Sequence, residues 1–189
     1  MSVLLNDLAS QLHPLHEPQP SPMGYKHQAA VLILLSDDAA PSILFTRRAQ
    51  HLRRHPGEVC FPGGMWEPQD GNLLATALRE THEEIGLPAS EIRLLGRMNQ
   101  TFTRAATAVT PFVGVYSARY PLNACAVELE SIFSVPLKDF LQGIQVREDC
   151  FEREGKLYRV PVYHYESYEI WGFTAAITAR LLKLIKEIL

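Results

Sequence analysis

Glu80, Glu83 and Glu84 stand close together in the run Arg79-Glu80-Thr81-His82-Glu83-Glu84-Ile85-Gly86-Leu87. On a helix turning ~100° per residue they share a sector of roughly 100°, while Leu74, Ala77, Leu78 and Ile85 gather on the adjoining face. One stripe is expected to enter the core and the other to present acid. Carboxylates crowded in this way repel unless a cation neutralises them, and hard oxygen ligands suit magnesium or manganese better than zinc. A substrate that such a cation bridges is chiefly a phosphate. The bland alternative is a solvated acidic helix face.

What surrounds the acids favours the site. The stretch is entered through Phe61-Pro62-Gly63-Gly64, whose glycines allow a tight bend and close backbone approach to a ligand. It leaves through Gly86, suited to the left-handed residue that ends a helix, with Pro88 two positions on. Arg79 can reach Glu83 four residues later and hold that carboxylate. Asp70, at the entrance, could serve the site or act as an N-cap favoured by the helix dipole.

From Gly64 to Leu87 the chain resembles the Nudix box, whose pattern is Gly, five residues, Glu, seven residues, then Arg-Glu-apolar-any-Glu-Glu-any-Gly-apolar. Carried over, the resemblance implies that Glu80, Glu83 and Glu84 bind the metal ions, that Arg79 orients a glutamate, and that Gly64 and Gly86 shape the loop and the helix end. Three positions depart: Asp70 replaces Glu, one extra residue separates it from Arg79, and Thr81 replaces an apolar residue.

A second stretch narrows the resemblance. Leu44-Phe45-Thr46-Arg47-Arg48-Ala49, then Arg53, Gly57, Val59 and Phe61-Pro62-Gly63-Gly64, is similar to the signature beside the box in coenzyme A pyrophosphatases. Phe45 and Ala49 stand in for Leu and Ser, with the spacing intact. That subfamily also has Asp and the longer spacing at the front of its box, and Ile170-Trp171-Gly172-Phe173-Thr174-Ala175 is similar to a later stretch of it. The implied activity is metal-dependent cleavage of the coenzyme A diphosphate, with Arg48, Arg53, Gly63 and Gly64 as substrate-binding residues and Mg2+ or Mn2+ as cofactor. Glu128 resembles the Glu of a later Glu-Val pair and is a candidate general base; otherwise it is a surface carboxylate. Rival readings are a Nudix hydrolase of another nucleoside diphosphate, such as ADP-ribose or a dinucleotide, and a non-catalytic nucleotide-binding regulator.

Charge agrees with a phosphorylated ligand. From Arg47 to His55 the chain carries four arginines and two histidines, and guanidinium forks pair with phosphate in bidentate fashion. Some of these arginines could instead pair with nearby acids, and His51 and His55 could be surface donors. The basic run is local: a net charge of −3 and a pI near 6.2 argue against nucleic acid as main partner. Cys60, Cys125 and Cys150 lack metal-ligand spacing and read as reduced thiols of a cytoplasmic protein. Met1 to Leu12 has no basic n-region, and no apolar run is long enough to span a membrane. The expected partner is a small molecule, with no nucleic acid and no membrane; a homodimer is left open.

The elements that must position these residues follow from patterning. With 189 residues, 47% of them apolar, the chain suits one domain at 25–189, preceded at 1–24 by a short helix (Ser2 to Leu12) and a proline-rich linker packed on it. Strands are expected at Ala29 to Leu35 and Ser42 to Thr46 as a pair, at Val59 to Phe61, and at Ile92 to Thr101 and Ala108 to Ser117 around a bend. Lys156 to Tyr163 and Tyr165 to Trp171 form a further strand-rich region. Phe173 to Leu189 is a closing helix with Ala176, Ala179, Leu182 and Ile185 at helical spacing. The fold class is α/β, a Nudix-like α/β/α sandwich with a mixed sheet between helices.

Overall fold

Seven consecutive apolar residues, Ala29 to Leu35, cannot alternate between a wet and a dry face, so the strand they form needs cover on both sides. The computed structural model, which describes residues 3–15, 27–103, 105–153 and 155–189, supplies that cover. In strand β1 (His27–Ser36), Ala30, Leu32 and Leu34 pack under helix α2 (Leu73–Ile85) with Leu73, Ala77 and Ile85. Ile33 and Leu35 point the other way, into a core shared with Leu5 and Leu8 of α1 (Val3–Gln11), Leu137 and Phe140 of α3 (Leu137–Gln142), and Leu181 and Ile185 of α4 (Gly172–Ile188). The result is the expected mixed sheet between helices.

Around β1 the sheet runs β3 (Val59–Cys60), β2 (Ser42–Arg48), β1, β7 (Thr107–Tyr116), β5 (Ile92–Arg97). β1 and β7 are parallel, in register from His27↔Thr107 to Ser36↔Tyr116, and the β1–β2 pair is antiparallel. Three short or late strands complete it: β4 (Gly63–Met65) on β1, β6 (Thr101–Phe102) on β7, and β8 (Leu129–Pro136) on β2. A second, antiparallel sheet holds β9 (Gln145–Arg153), β10 (Lys156–Tyr165) and β11 (Tyr168–Ile170).

Several expectations need correction. The single strand over Ile92 to Thr101 is two strands with a gap. Pro111 explains why the gap is tolerated: its carbonyl accepts the Met98 N–H at 2.8 Å, so its missing N–H lies on the side where the partner strand is interrupted. β4, β8, β9 and α3 were not expected from the pattern. In α4 the buried residues are Thr174, Ala175, Ile177, Thr178, Leu181, Leu182 and Ile185; Leu182 and Ile185 are buried as expected, while Ala176 and Ala179 lie on the flank. The buried threonine hydroxyls are satisfied, Thr174 by the Val59 carbonyl and Thr178 by the Thr174 carbonyl, both at 2.9 Å. Of the linker, His13 pairs with Arg97, and residues 16–26 lie outside those described. Among the described residues no helix is long and apolar enough to cross a membrane.

Candidate active site

Helix α2 begins two residues later than an Asp70 cap would place it. Asn72 is the N-cap, its Oδ1 accepting the Ala75 N–H at 2.8 Å, and an Asn directly before Leu73 was a readable signal for this. The helix ends as expected at Gly86, left-handed at φ 71°, whose N–H returns to the His82 carbonyl. Thr81, the polar residue at an apolar position, is fully buried but donates its hydroxyl to the Ala77 carbonyl at 2.6 Å.

Asp70 has a different role from capping α2. Its carboxylate takes Arg79 Nε at 2.6 Å and Nη2 at 3.0 Å, the Thr76 hydroxyl at 2.8 Å and the Glu67 N–H at 3.0 Å. Arg79 first, with these hydrogen bonds, holds the Asp70 carboxyl well below the ordinary carboxylate range even though it is buried. Arg79 also reaches Glu83 at 2.9 Å, as its spacing suggested, and Glu80 at 3.0 Å. It is therefore a hub: Asp70 fixes the guanidinium, and the guanidinium fixes one oxygen of each glutamate. Thr76, buried and donating to Asp70, is the member of this network that sequence reading missed.

The glycines set how closely the loop meets the helix. Gly63 has φ 148°, and a Cβ there would overlap the Ala30 carbonyl of β1. A Cβ on Gly64 would enter the Glu80 carboxylate. The Gly63 N–H donates to Glu84 Oε2 at 3.2 Å. Glu84 is thus buried under the glycine loop rather than displayed with Glu83, which is exposed; the acidic stripe is split between interior, rim and solvent.

That split shapes the electrostatics. Burial pushes the Glu84 carboxyl up to about 8, against the Gly63 N–H and Arg48, with Glu80 and Glu128 adding to the rise. Glu80 is raised for the same first reason, with Glu83 and Glu128 adding and Arg79 opposing. Glu128, forty-four residues beyond Glu84, therefore lies within electrostatic reach of both glutamates although it is exposed at the surface. Arg48 lies close enough to Glu84 to oppose that rise, and its Nε is buried with no hydrogen-bond partner among the described residues.

The remaining cationic positions divide. Arg47 pairs with Glu130 at 3.4 Å and lies 6.0 Å from the Tyr168 ring centroid. His55 pairs with Glu58 and His51 with the Val127 carbonyl. Arg53 and Arg54 are exposed on the loop between β2 and β3, and among the described residues no hydrogen bond or ion pair links them to the glutamates.

For a cation, the donor set is of the right kind: carboxylate oxygens that repel one another, in a partly buried place where Arg79 pairs with Glu80 and Glu83 but not with Glu84. Arg79 engages one oxygen of Glu80 and one of Glu83, leaving each a second. As arranged here, no three His, Cys, Asp or Glu side chains among the described residues converge tightly enough to hold a metal ion. The fit is therefore one of chemistry and neighbourhood, with carboxylate torsions as the adjustment.

The NUDIX domain profile matches residues 26–146. A Nudix hydrolase named NudL from Yersinia enterocolitica, itself uncharacterised, is 39% identical over 172 residues, covering 90% of this chain and 88% of its own. Its namesake in Yersinia pestis is 39% identical over 158 residues, covering 84% and 79%. Among solved structures, a NUDIX hydrolase from Alicyclobacillus acidocaldarius shares the fold with a TM-score of 0.54 at 23% identity, over 64% of this chain and 83% of that one. An Ap4A hydrolase of C. elegans does so at 0.53 and 15%, over 85% and 94%. Sheet, glycine loop, glutamate helix and these likenesses lead to one statement: the chain belongs to the Nudix hydrolase family.

Proposed function

We propose that this Nudix pyrophosphohydrolase cleaves the diphosphate of coenzyme A, or of its thioesters or disulfide, to 3′,5′-ADP and 4′-phosphopantetheine or the corresponding derivative. The observation that carries an anionic, multiply phosphorylated substrate is Arg48: its guanidinium Nε, near Glu84, is buried with no partner among the described residues and is suited to a phosphate acceptor. Coenzyme A supplies a diphosphate and a separate 3′-phosphate, and the Leu44-to-Gly64 stretch bears the signature similar to that of coenzyme A pyrophosphatases. Arg53, exposed on the same loop, is suited to the outer phosphate.

In this reading Glu80, Glu83 and Glu84 would hold magnesium or manganese, the ions Nudix hydrolases generally use, supplying charge that polarises the phosphoanhydride and acidifies water. Arg79 keeps Glu80 and Glu83 in place, and Asp70 with Thr76 keeps Arg79 in place. Gly63 and Gly64 let the substrate backbone approach as closely as they let Glu84 and Glu80 approach. Glu128 is the proposed general base: it lies within electrostatic reach of Glu80 and Glu84, is exposed to water, and is not held by Arg79.

The test incubates the protein and Mg2+ with coenzyme A, ADP-ribose, NADH and nucleoside triphosphates, and separates products. Coenzyme A should give 3′,5′-ADP with the highest kcat/KM. Preference for any other substrate overturns the specificity, and binding without product formation would make the chain a nucleotide-binding regulator.

A further inference from the structure

We infer that His51 is a positioning residue for Glu128, an inference that rests on the assignment of Glu128 as the base. The two peptide planes flanking the Glu128 Cα are each held at both ends. In the plane before it, the Val127 carbonyl accepts His51 Nε2–H at 3.0 Å and the Glu128 N–H donates to the Cys125 carbonyl at 2.9 Å. In the plane after it, the Glu128 carbonyl accepts the Ala49 N–H at 2.9 Å and the Leu129 N–H donates to the Cys125 carbonyl at 2.8 Å. Fixing both planes fixes φ and ψ of Glu128, and with them the direction of its Cα–Cβ bond.

Three of those four bonds join backbone to backbone and constrain few side chains. The fourth depends on His51, so it is the one the sequence selects. The turn is also anchored to the metal-binding helix, because the Cys125 N–H donates to the Glu84 carbonyl at 2.8 Å and the Asn123 N–H to the Ile85 carbonyl at 2.9 Å. One side of the turn thus refers to α2 and the other to the loop after Arg48. A carbonyl can only accept, so Nε2 carries the proton; both the neutral Nε2–H tautomer and the imidazolium make this bond. Gln50 and Arg47 strengthen the seam by bonding Glu130, at 3.2 Å and 3.4 Å.

The experiment is a double-mutant cycle on coenzyme A hydrolysis with Mg2+, together with amide exchange on the metal-free protein. His51→Ala should lower kcat by about ten- to a hundredfold, the cost of a base displaced on the order of 1 Å, with KM within about twofold. His51→Gln, whose amide can reach the same carbonyl, should recover most of the loss. In a Glu128→Gln background His51→Ala should change kcat by less than about twofold, because the group it aims is already gone. Exchange at residues 125–129 should quicken in His51→Ala and return to normal in His51→Gln. A His51→Ala that raises KM with kcat intact, costs as much in the Glu128→Gln background, or leaves exchange unchanged overturns the inference. Wild-type turnover in Glu128→Gln removes the base assignment itself, and is distinguishable because it does not depend on His51.

Discussion

Gly63 and Gly64 adjoin in sequence, yet the same substitution should damage different properties of the protein. In Gly63→Ala the new Cβ meets the Ala30 carbonyl, main chain in the middle of the sheet, at a residue whose φ is 148°. Overpacking against backbone costs about 1–3 kcal/mol and a strained backbone well about 1–3 kcal/mol. A sum of about 3 kcal/mol in a chain of this size lowers Tm by roughly 6–12 °C. In Gly64→Ala the Cβ meets the far end of the Glu80 side chain, which can rotate away. No positive φ is involved, and reduced freedom of the unfolded chain returns about 0.4–1 kcal/mol, so Tm should stay within about 3 °C. To restore ordinary contact the carboxylate must move about 1 Å, and misplacing a catalytic group by that distance costs about a hundredfold in turnover. Thermal unfolding by circular dichroism and kcat for coenzyme A, measured on both variants, check the pair. A fully active Gly64→Ala, or a Gly63→Ala as stable as the parent, would refute the reasoning from close approach.

Glu84→Gln preserves volume and an acceptor for the Gly63 N–H, so the apo protein should melt within about 2 °C of the parent while turnover falls about a hundredfold or more and Mg2+ no longer raises Tm. Asp70→Asn should cost about 2 kcal/mol by leaving Arg79 with a poorer partner, read by urea unfolding. Because the Asp70 carboxyl is depressed in the native state, its contribution is complete above the unfolded value of 3.8 and is lost as pH falls below it. The acid limb of stability should therefore be shallower in Asp70→Asn, and an identical limb would contradict the pairing. Burial pushes the Cys60 thiol up to about 11, whereas Cys150 is exposed. A disulfide reagent at pH 8 should therefore label Cys150 at once and Cys60 only on unfolding.

The central strand, its antiparallel partner, the glutamate helix and its Gly86 terminus were legible because each is a local pattern: an unbroken apolar run, a three-plus-one spacing, a glycine after the last helical turn. Arg79 to Glu83 was legible for the same reason. Asp70 was not, because its partner lies nine residues away across a turn, and a carboxylate at a helix entrance looks alike whether it caps or clamps. Burial of Glu84 escaped because helical spacing gives a direction around an axis and says nothing of a glycine loop folded over one sector. The arginine-rich run looked uniformly cationic, whereas Arg47 is neutralised by Glu130 and the Arg48 Nε has no partner among the described residues, a difference fixed by contacts more than eighty residues apart for Arg47. Strands β8 and β9 carry mixed polar sequences whose pairing partners, not their own alternation, make them strands.

The parallel ladder between β1 and β7 joins residues 80 apart in the chain, and the glycine loop, α2 and β5 all lie inside that span. Closing so long a loop is entropically uphill until the ladder forms, which places this pairing late and makes folding slow for the size of the chain. During synthesis, then, the glutamate helix can coil early against β1, but β1 itself lacks its parallel neighbour until Thr107 and the residues after it have left the ribosome. Hydrolytic competence should switch on with sheet closure as a single event rather than ripen by degrees.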